Sequence, residues 1–204
     1  MDTQLATRIA EGLGMPAPAK SEIPNHGKTS PALSQEHTTK TVQGRKVAIL
    51  AADGVEGSQL RILKQSLSLL GLGAEVVSKF GGEIQSADGD AIEVDQTFLT
   101  TTSVLYDAIY VPGGTQSINT LNAYGEAQDF VHEAFKHFKP IAALAEGVDL
   151  LMHSNLKGLN LGKKQGELDH NLGVITSRDA SGIEPLTKAF VEAIKEHRYW
   201  ARSV

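Results

Sequence analysis

Short apolar runs alternate with amphipathic stretches from residue 46 to the end of the chain, and that alternation predicts a parallel sheet with helices on both faces. Residues 46–52 read Lys-Val-Ala-Ile-Leu-Ala-Ala, the near-continuous apolar run of a strand covered on both sides. Leu60, Leu63, Leu67 and Leu70 then recur at helical spacing over 58–70, with Gly71 and Gly73 as the stop. A strand is expected at 74–78. Gly81-Gly82 and Asp88-Gly89 are turn signals around a hairpin of 83–85 and 91–94. The pattern continues with a short helix at 101–105 and a strand at 108–111 broken by Pro112-Gly113-Gly114. A helix at 126–138, a strand at 140–144, a helix at 147–153, a strand at 173–176 and a closing helix at 183–198 complete one three-layer α/β domain.

The chain before residue 45 has another character. Four of the seven prolines (Pro16, Pro18, Pro24, Pro31) fall there, and no Phe, Tyr or Trp precedes Lys46. Leu5, Ile9 and Leu13 form a narrow helical stripe, stopped by Gly14 and Pro16-Ala17-Pro18. Such a helix on a polar linker cannot bury itself. The expected organisation is therefore a leader over 1–44, needing a partner or staying mobile, and a domain over 45–204.

With 41% hydrophobic residues in 204, the chain has enough apolar content for one ordinary core. Its apolar runs fall far short of the roughly 20 residues of a membrane helix, and its first residues do not read as a secretory signal. The absence of cysteine excludes disulfides, thiolate metal ligands and thiol catalysis together. It leaves the compartment open, with the cytoplasm as the expectation. A net charge of −5 without a basic stripe argues against a nucleic-acid partner.

Chemistry in an open parallel sheet is sought in the loops at the carboxyl ends of strands. Asp53-Gly54-Val55-Glu56-Gly57 lacks the dinucleotide spacing and reads as a turn, and 158–164 lacks the spacing of a phosphate loop. The stretch 140–151 is more informative, because a buried strand runs straight into a helix through Ala145-Glu146-Gly147. That is the form of a nucleophile elbow, with alanine where a reactive Cys or Ser would stand. Glu146 reads as helix capping. His132 and His137 are five apart and do not share a helix face, His26 and His37 lie in the leader, and His153, His170 and His197 are isolated, so no metal set is expected. Trp200 reads as a hydrophobic anchor.

The first strand, the Pro112-Gly113-Gly114 turn and the elbow of 141–151 resemble the PfpI-like, glutamine-amidotransferase-like superfamily over about residues 45–198. The resemblance implies a flavodoxin-like three-layer sandwich with a mainly parallel sheet. It carries the superfamily's glutamate onto Gln59 and its cysteine onto Ala145, so both reacting groups are missing. A closer resemblance covers nearly the whole chain. Leu13-Gly14-Met15-Pro16, Gly44-Arg45-Lys46-Val47-Ala48-Ile49-Leu50, Ala91-Ile92 with Thr97-Phe98, the string Ala134 to Ala142 with His137, Lys139 and Pro140, and Glu196-His197-Arg198-Tyr199-Trp200-Ala201-Arg202 are similar to the C-terminal region of large-subunit haem catalases.

This second resemblance implies a non-catalytic domain of an enzyme that converts hydrogen peroxide to water and oxygen at a haem held elsewhere. No catalase active-site His and Asn, and no haem-ligating Tyr motif, occurs here. The domain would be a piece of a longer enzyme or a stand-alone homologue. Its implied partners are the catalase core and neighbouring subunits of a homo-oligomer, with unfolded client proteins if it acts as a chaperone. No catalytic, cofactor or metal residue is assigned in this chain. The competing expectation is a surviving hydrolase or glyoxalase that uses Glu56, Glu146, Asp149 or His170 as its base.

Overall fold

The computed structural model describes residues 3–19, 30, 32, 39–154, 156, 158, 159, 161 and 168–202. It divides into two units between Thr39 and Lys40. In the first, α1 (Thr3–Gly12) leaves Leu5, Ile9 and Leu13 exposed along one stripe, with Met15 exposed beyond it. His26, His37 and Leu33 lie outside the described residues. Lys40 and Val42 belong to the second unit, where Val42 enters the core and Lys40 pairs with Glu196 at 2.5 Å.

The second unit is the expected α/β sandwich. Its strands are β1 (Lys46–Leu50), β2 (Gly73–Ser78), β5 (Gln96–Thr97), β6 (Ala108–Val111), β7 (Ile141–Leu144), β8 (Asp169–Asn171) and β9 (Val174–Ser177). They form one sheet in the order β5-β2-β1-β6-β7-β9-β8, parallel except for β8. The order runs outward from β1 in both directions, so the topological switch lies between β1 and β6. Alternate residues of β1 serve the two faces. Val47 and Ile49 pack with α2 (Gly57–Leu69) and α6 (Ile183–Glu196), while Ala48 and Leu50 pack with α3 (Thr115–Asn122), α4 (Gly125–Lys136) and α5 (Gly147–His153). Burial on both faces is why these strands read as unbroken apolar runs.

The separate hairpin of β3 (Gly82–Gln85) and β4 (Ala91–Val94) is tied to the loop after β1. Gly54 donates its N–H to the Gln85 carbonyl at 2.7 Å, and Asp53 accepts from the Gln85 N–H at 2.8 Å. The loop that reads as a plain turn is thus a bridge to the hairpin.

Several boundaries differ from expectation. The helix expected to reach residue 138 ends at Lys136, and the one expected to reach 198 ends at Glu196, because Phe138 and His197 adopt positive φ of 60° and 66°. The expected helix at 101–105 is only a 3-10 turn, Ser103–Leu105. Helix α3 and the short strands β5 and β8 are absent from the sequence reading.

Two of the strings that carry the catalase resemblance, 134–142 and 196–202, meet beside the amino ends of β6 and β7. Lys139, only 3% exposed, donates to the carbonyls of Ser103 (2.6 Å), Val104 (3.3 Å) and Tyr106 (2.6 Å). Arg202 donates to the carbonyls of Leu172 (2.7 Å) and Phe135 (3.1 Å), with its guanidinium 4.7 Å from the Phe135 ring centre. Tyr199 donates its N–H to the Phe138 carbonyl at 2.9 Å. Trp200 is 73% exposed and touches this clasp through Phe138, with ring centres 5.1 Å apart, so it is a surface plate and not a buried anchor.

Burial, reinforced by Arg198 and opposed by Asp107, pushes the Lys139 ammonium down to a pKa of about 8. An amine depressed below its unfolded value binds fewer protons in the native state. Its contribution therefore makes stability rise as pH climbs from about 8 towards the ordinary lysine value of 10.5. Lys139→Met should cost about 1–3 kcal/mol in chemical denaturation at pH 7, chiefly by stranding the Tyr106 carbonyl, since the Ser103 carbonyl keeps the Tyr106 N–H at 3.2 Å. The gap between wild type and variant should widen over the same pH window, and a gap that stays flat there would refute the assignment.

Candidate functional site

The loops after β1, β6 and β7 converge at the switch point, where ligands of open α/β sheets normally sit. Ala145 follows β7 with φ 51°, a left-handed conformation that costs a non-glycine residue about 1–2 kcal/mol. It is held there from both sides. Its N–H donates to the Ser177 carbonyl at 2.7 Å, and its own carbonyl accepts from Val148 at 3.3 Å as α5 begins. The strained turn of a nucleophile elbow is therefore present without a nucleophile.

Two glycines allow the loops to close on one another. A Cβ on Gly147 would lie 2.3 Å from the Val111 carbonyl oxygen, and one on Gly114, at φ 118°, would lie 2.3 Å from the Gly54 carbonyl oxygen. Glu56 completes the seam by donating its N–H to the Gly113 carbonyl at 2.9 Å.

Gln59, on the first turns of α2, is buried to 5% exposure and accepts from the Gly113 N–H at 2.8 Å through Oε1. Glu146 does not cap its own helix. Its Oε2 crosses to accept from the Gly114 N–H at 3.1 Å. Gln59 Oε1, Glu146 Oε2 and Ala145 Cβ lie 3.2, 2.7 and 3.1 Å from the point where a Gly113 Cβ would stand. The backbone donors of the Gly113-Gly114 turn are thus both occupied by side-chain oxygens of the protein itself. A developing oxyanion would have to displace them.

The other proposed bases are not gathered here. Asp149 is paired with Arg178 at 2.7 Å, and His170 lies on the exposed edge strand β8, with β6, β7 and β9 separating it from β1. Only Glu56 and Glu146 belong to the convergent loops. Among the described residues, no three or more His, Asp or Glu side chains are grouped to hold a metal ion, and no helix is long and apolar enough to cross a membrane. Of the 158–164 stretch, Asn160 and 162–164 lie outside the described residues.

Residues 43–204 match the family model of the C-terminal domain found in long catalases. The chain belongs to that family. The long-catalase relatives extend the match across the leader. Catalase-2 of Bacillus subtilis is 38% identical over 204 residues, covering 100% of this chain and 28% of the relative. Catalase HPII of Mycobacterium avium is 35% identical over 206 residues, covering 99% and 29%. The chain thus spans under a third of the length of these relatives. Among solved structures, a variant of a DJ-1 superfamily protein from Salmonella typhimurium aligns with TM-score 0.66 and 19% identity over 74% of this chain and 95% of its own. A two-domain protein from Anabaena variabilis with DJ-1/ThiJ/PfpI-like and ferritin-like domains aligns with TM-score 0.69 and 22% identity over 78% and 52%. These likenesses establish the DJ-1/PfpI-like, flavodoxin-like fold and nothing of the chemistry.

In this long-catalase domain the vacant elbow can be tested directly. Ala145→Cys alone should give a thiol that alkylates with an ordinary pKa near 8.5, because the Gln59 amide already accepts from Gly113 and offers no carboxyl proton. Ala145→Cys with Gln59→Glu should be needed before the thiol pKa falls. Iodoacetamide rates measured across pH report it, and a low-pKa thiol in the single variant would contradict the reading.

Proposed function

We propose that this chain is a non-catalytic domain of a haem catalase, stabilising the assembled enzyme, and that its leader is a surface for partly unfolded proteins. The observation that carries the first half is the elbow. Its backbone retains the strained turn, yet Ala145 has no nucleophilic atom and Gln59 and Glu146 occupy the donors around it. A fold held so closely without reacting groups is best understood as scaffold. The catalase relatives and the family model support the reading that the parent activity is peroxide dismutation, at a haem that the core would hold. In this proposal the domain packs on that core and on neighbouring subunits of a homo-oligomer.

The purified chain is then expected to bind no stoichiometric haem and to release no oxygen from peroxide. A Soret band after incubation with hemin, retained on gel filtration at one per chain, would overturn this, as would oxygen evolution above that of heat-denatured chain.

The chaperone half rests on the exposed stripe of Leu5, Ile9 and Leu13, with Met15 beyond it. Apolar surface on an arm can cover similar surface on an unfolding protein. The whole chain should slow heat-induced aggregation of citrate synthase, followed by light scattering, without ATP. Deleting residues 1–39, which spares Lys40 and the core residue Val42, should weaken that protection while the far-ultraviolet circular dichroism of the α/β unit persists. Equal protection by the truncated form would remove the leader from this role, and protection by neither would end the chaperone proposal.

A further inference from the structure

A groove of about 360 Å³ lies along α4, from Glu126 to Glu133, and none of the elbow residues line it. Its lining is apolar at Phe98, Phe130 and Val104, with the two rings edge-on at 5.7 Å between centres. Glu126, Asp129 and Glu133 stand along it at i, i+3 and i+7 of α4, about 4.5 and 6 Å apart along the helix axis. Among the described residues no cation pairs with Glu126 or Asp129, whereas Glu133 is shared by Lys136 and His137 at 3.4 Å each. Ser103, only 3% exposed, also lines the groove, and its hydroxyl has no hydrogen-bond partner among the described residues.

The occupant must therefore bring positive charge and apolar surface together. An arginine or lysine does both, its aliphatic stem lying on the rings while its head reaches the carboxylates. Apolar surface continues in the sequence on either side, where Leu99 and Leu105 are exposed. A metal ion or a free polyamine would leave them uncovered. We propose that this groove docks a segment of another polypeptide in which an arginine or lysine adjoins an apolar side chain. Carboxylates beside an apolar lining complement that segment and repel an acidic one. The proposal does not depend on the parent enzyme, since it concerns only surface that this chain carries.

The test is a titration of the ¹⁵N-labelled chain with the blocked peptide acetyl-Ala-Leu-Arg-Leu-Lys-Ala-amide, followed by amide chemical shifts at low ionic strength. Saturable shifts confined to residues 98–105 and 126–133 are expected. Glu126→Gln with Asp129→Asn should weaken binding about tenfold. Val104→Ser, at an exposed position, should weaken it independently through the apolar lining. Glu83→Gln with Glu93→Gln, a facing pair on the β3–β4 hairpin, should leave it unchanged. The spectrum outside the groove reports whether each variant is folded. Equal binding of a peptide with glutamine at both basic positions, equal binding of spermidine, shifts centred elsewhere, or no saturation would each overturn the proposal.

Discussion

Two backbone crossings govern the carboxyl end of the sheet. Because no Cβ can be placed on Gly147 or Gly114 without striking a carbonyl oxygen at 2.3 Å, the loops after β1, β6 and β7 are locked against one another. That lock fixes where α5 starts and so forces Ala145 into its left-handed turn. Strain of this kind persists when the surroundings over-determine it. In an enzyme the same arrangement would present a nucleophile to free backbone donors. Here those donors are taken by Gln59 and Glu146.

A second set of constraints acts beside the amino ends of β6 and β7, where two of the strings that carry the catalase resemblance come together. Lys139 can be buried because three carbonyls receive it, and those carbonyls belong to the segment Ser103 to Tyr106 that has little other regular structure. Arg202 does the same for the Leu172 and Phe135 carbonyls, at the cost of a pKa pushed down to about 10 by burial. The Ser103 and Phe135 carbonyls also accept the N–H groups of Tyr106 and Phe138, so what an apolar replacement would strand is chiefly the Tyr106 carbonyl at Lys139 and the Leu172 carbonyl at Arg202. The two strings, far apart in the chain, thus meet in one physical clasp.

The sequence yields the central strands readily, since β1, β6 and β7 are buried on both faces and contain almost only apolar residues. Elements outside that condition escape it. Strand β8 is Asp169-His170-Asn171, an exposed antiparallel edge whose polar side chains carry no alternation, and β5 is two residues long. Helix α3 offers only Ile118 and Leu121 as buried apolar positions, too few for a periodic signal. Helix ends fail for a different reason. Phe138 and His197 stop α4 and α6 through positive φ, a conformation that sequence assigns to glycine and that tertiary contacts impose here. The vacant elbow, by contrast, is readable from Ala145 alone, whereas the crossing of Glu146 to Gly114 needs coordinates, because an acidic residue at a helix start has capping as its ordinary local role.

The consequence for the molecule is a separation of labour between regions that do not share residues. The switch point, where an α/β protein usually binds its ligand, is filled by its own side chains. The groove beside α4 is instead open, acidic and apolar at once, and its wall at Ser103 and Val104 is the same segment that Lys139 holds from within. A rigid wall is what a docking surface needs, because a segment that had to be ordered on binding would spend part of the interaction on its own conformational entropy. The buried lysine and the open groove are thus two sides of one segment, and the tie on the inner side pre-orders the surface on the outer side.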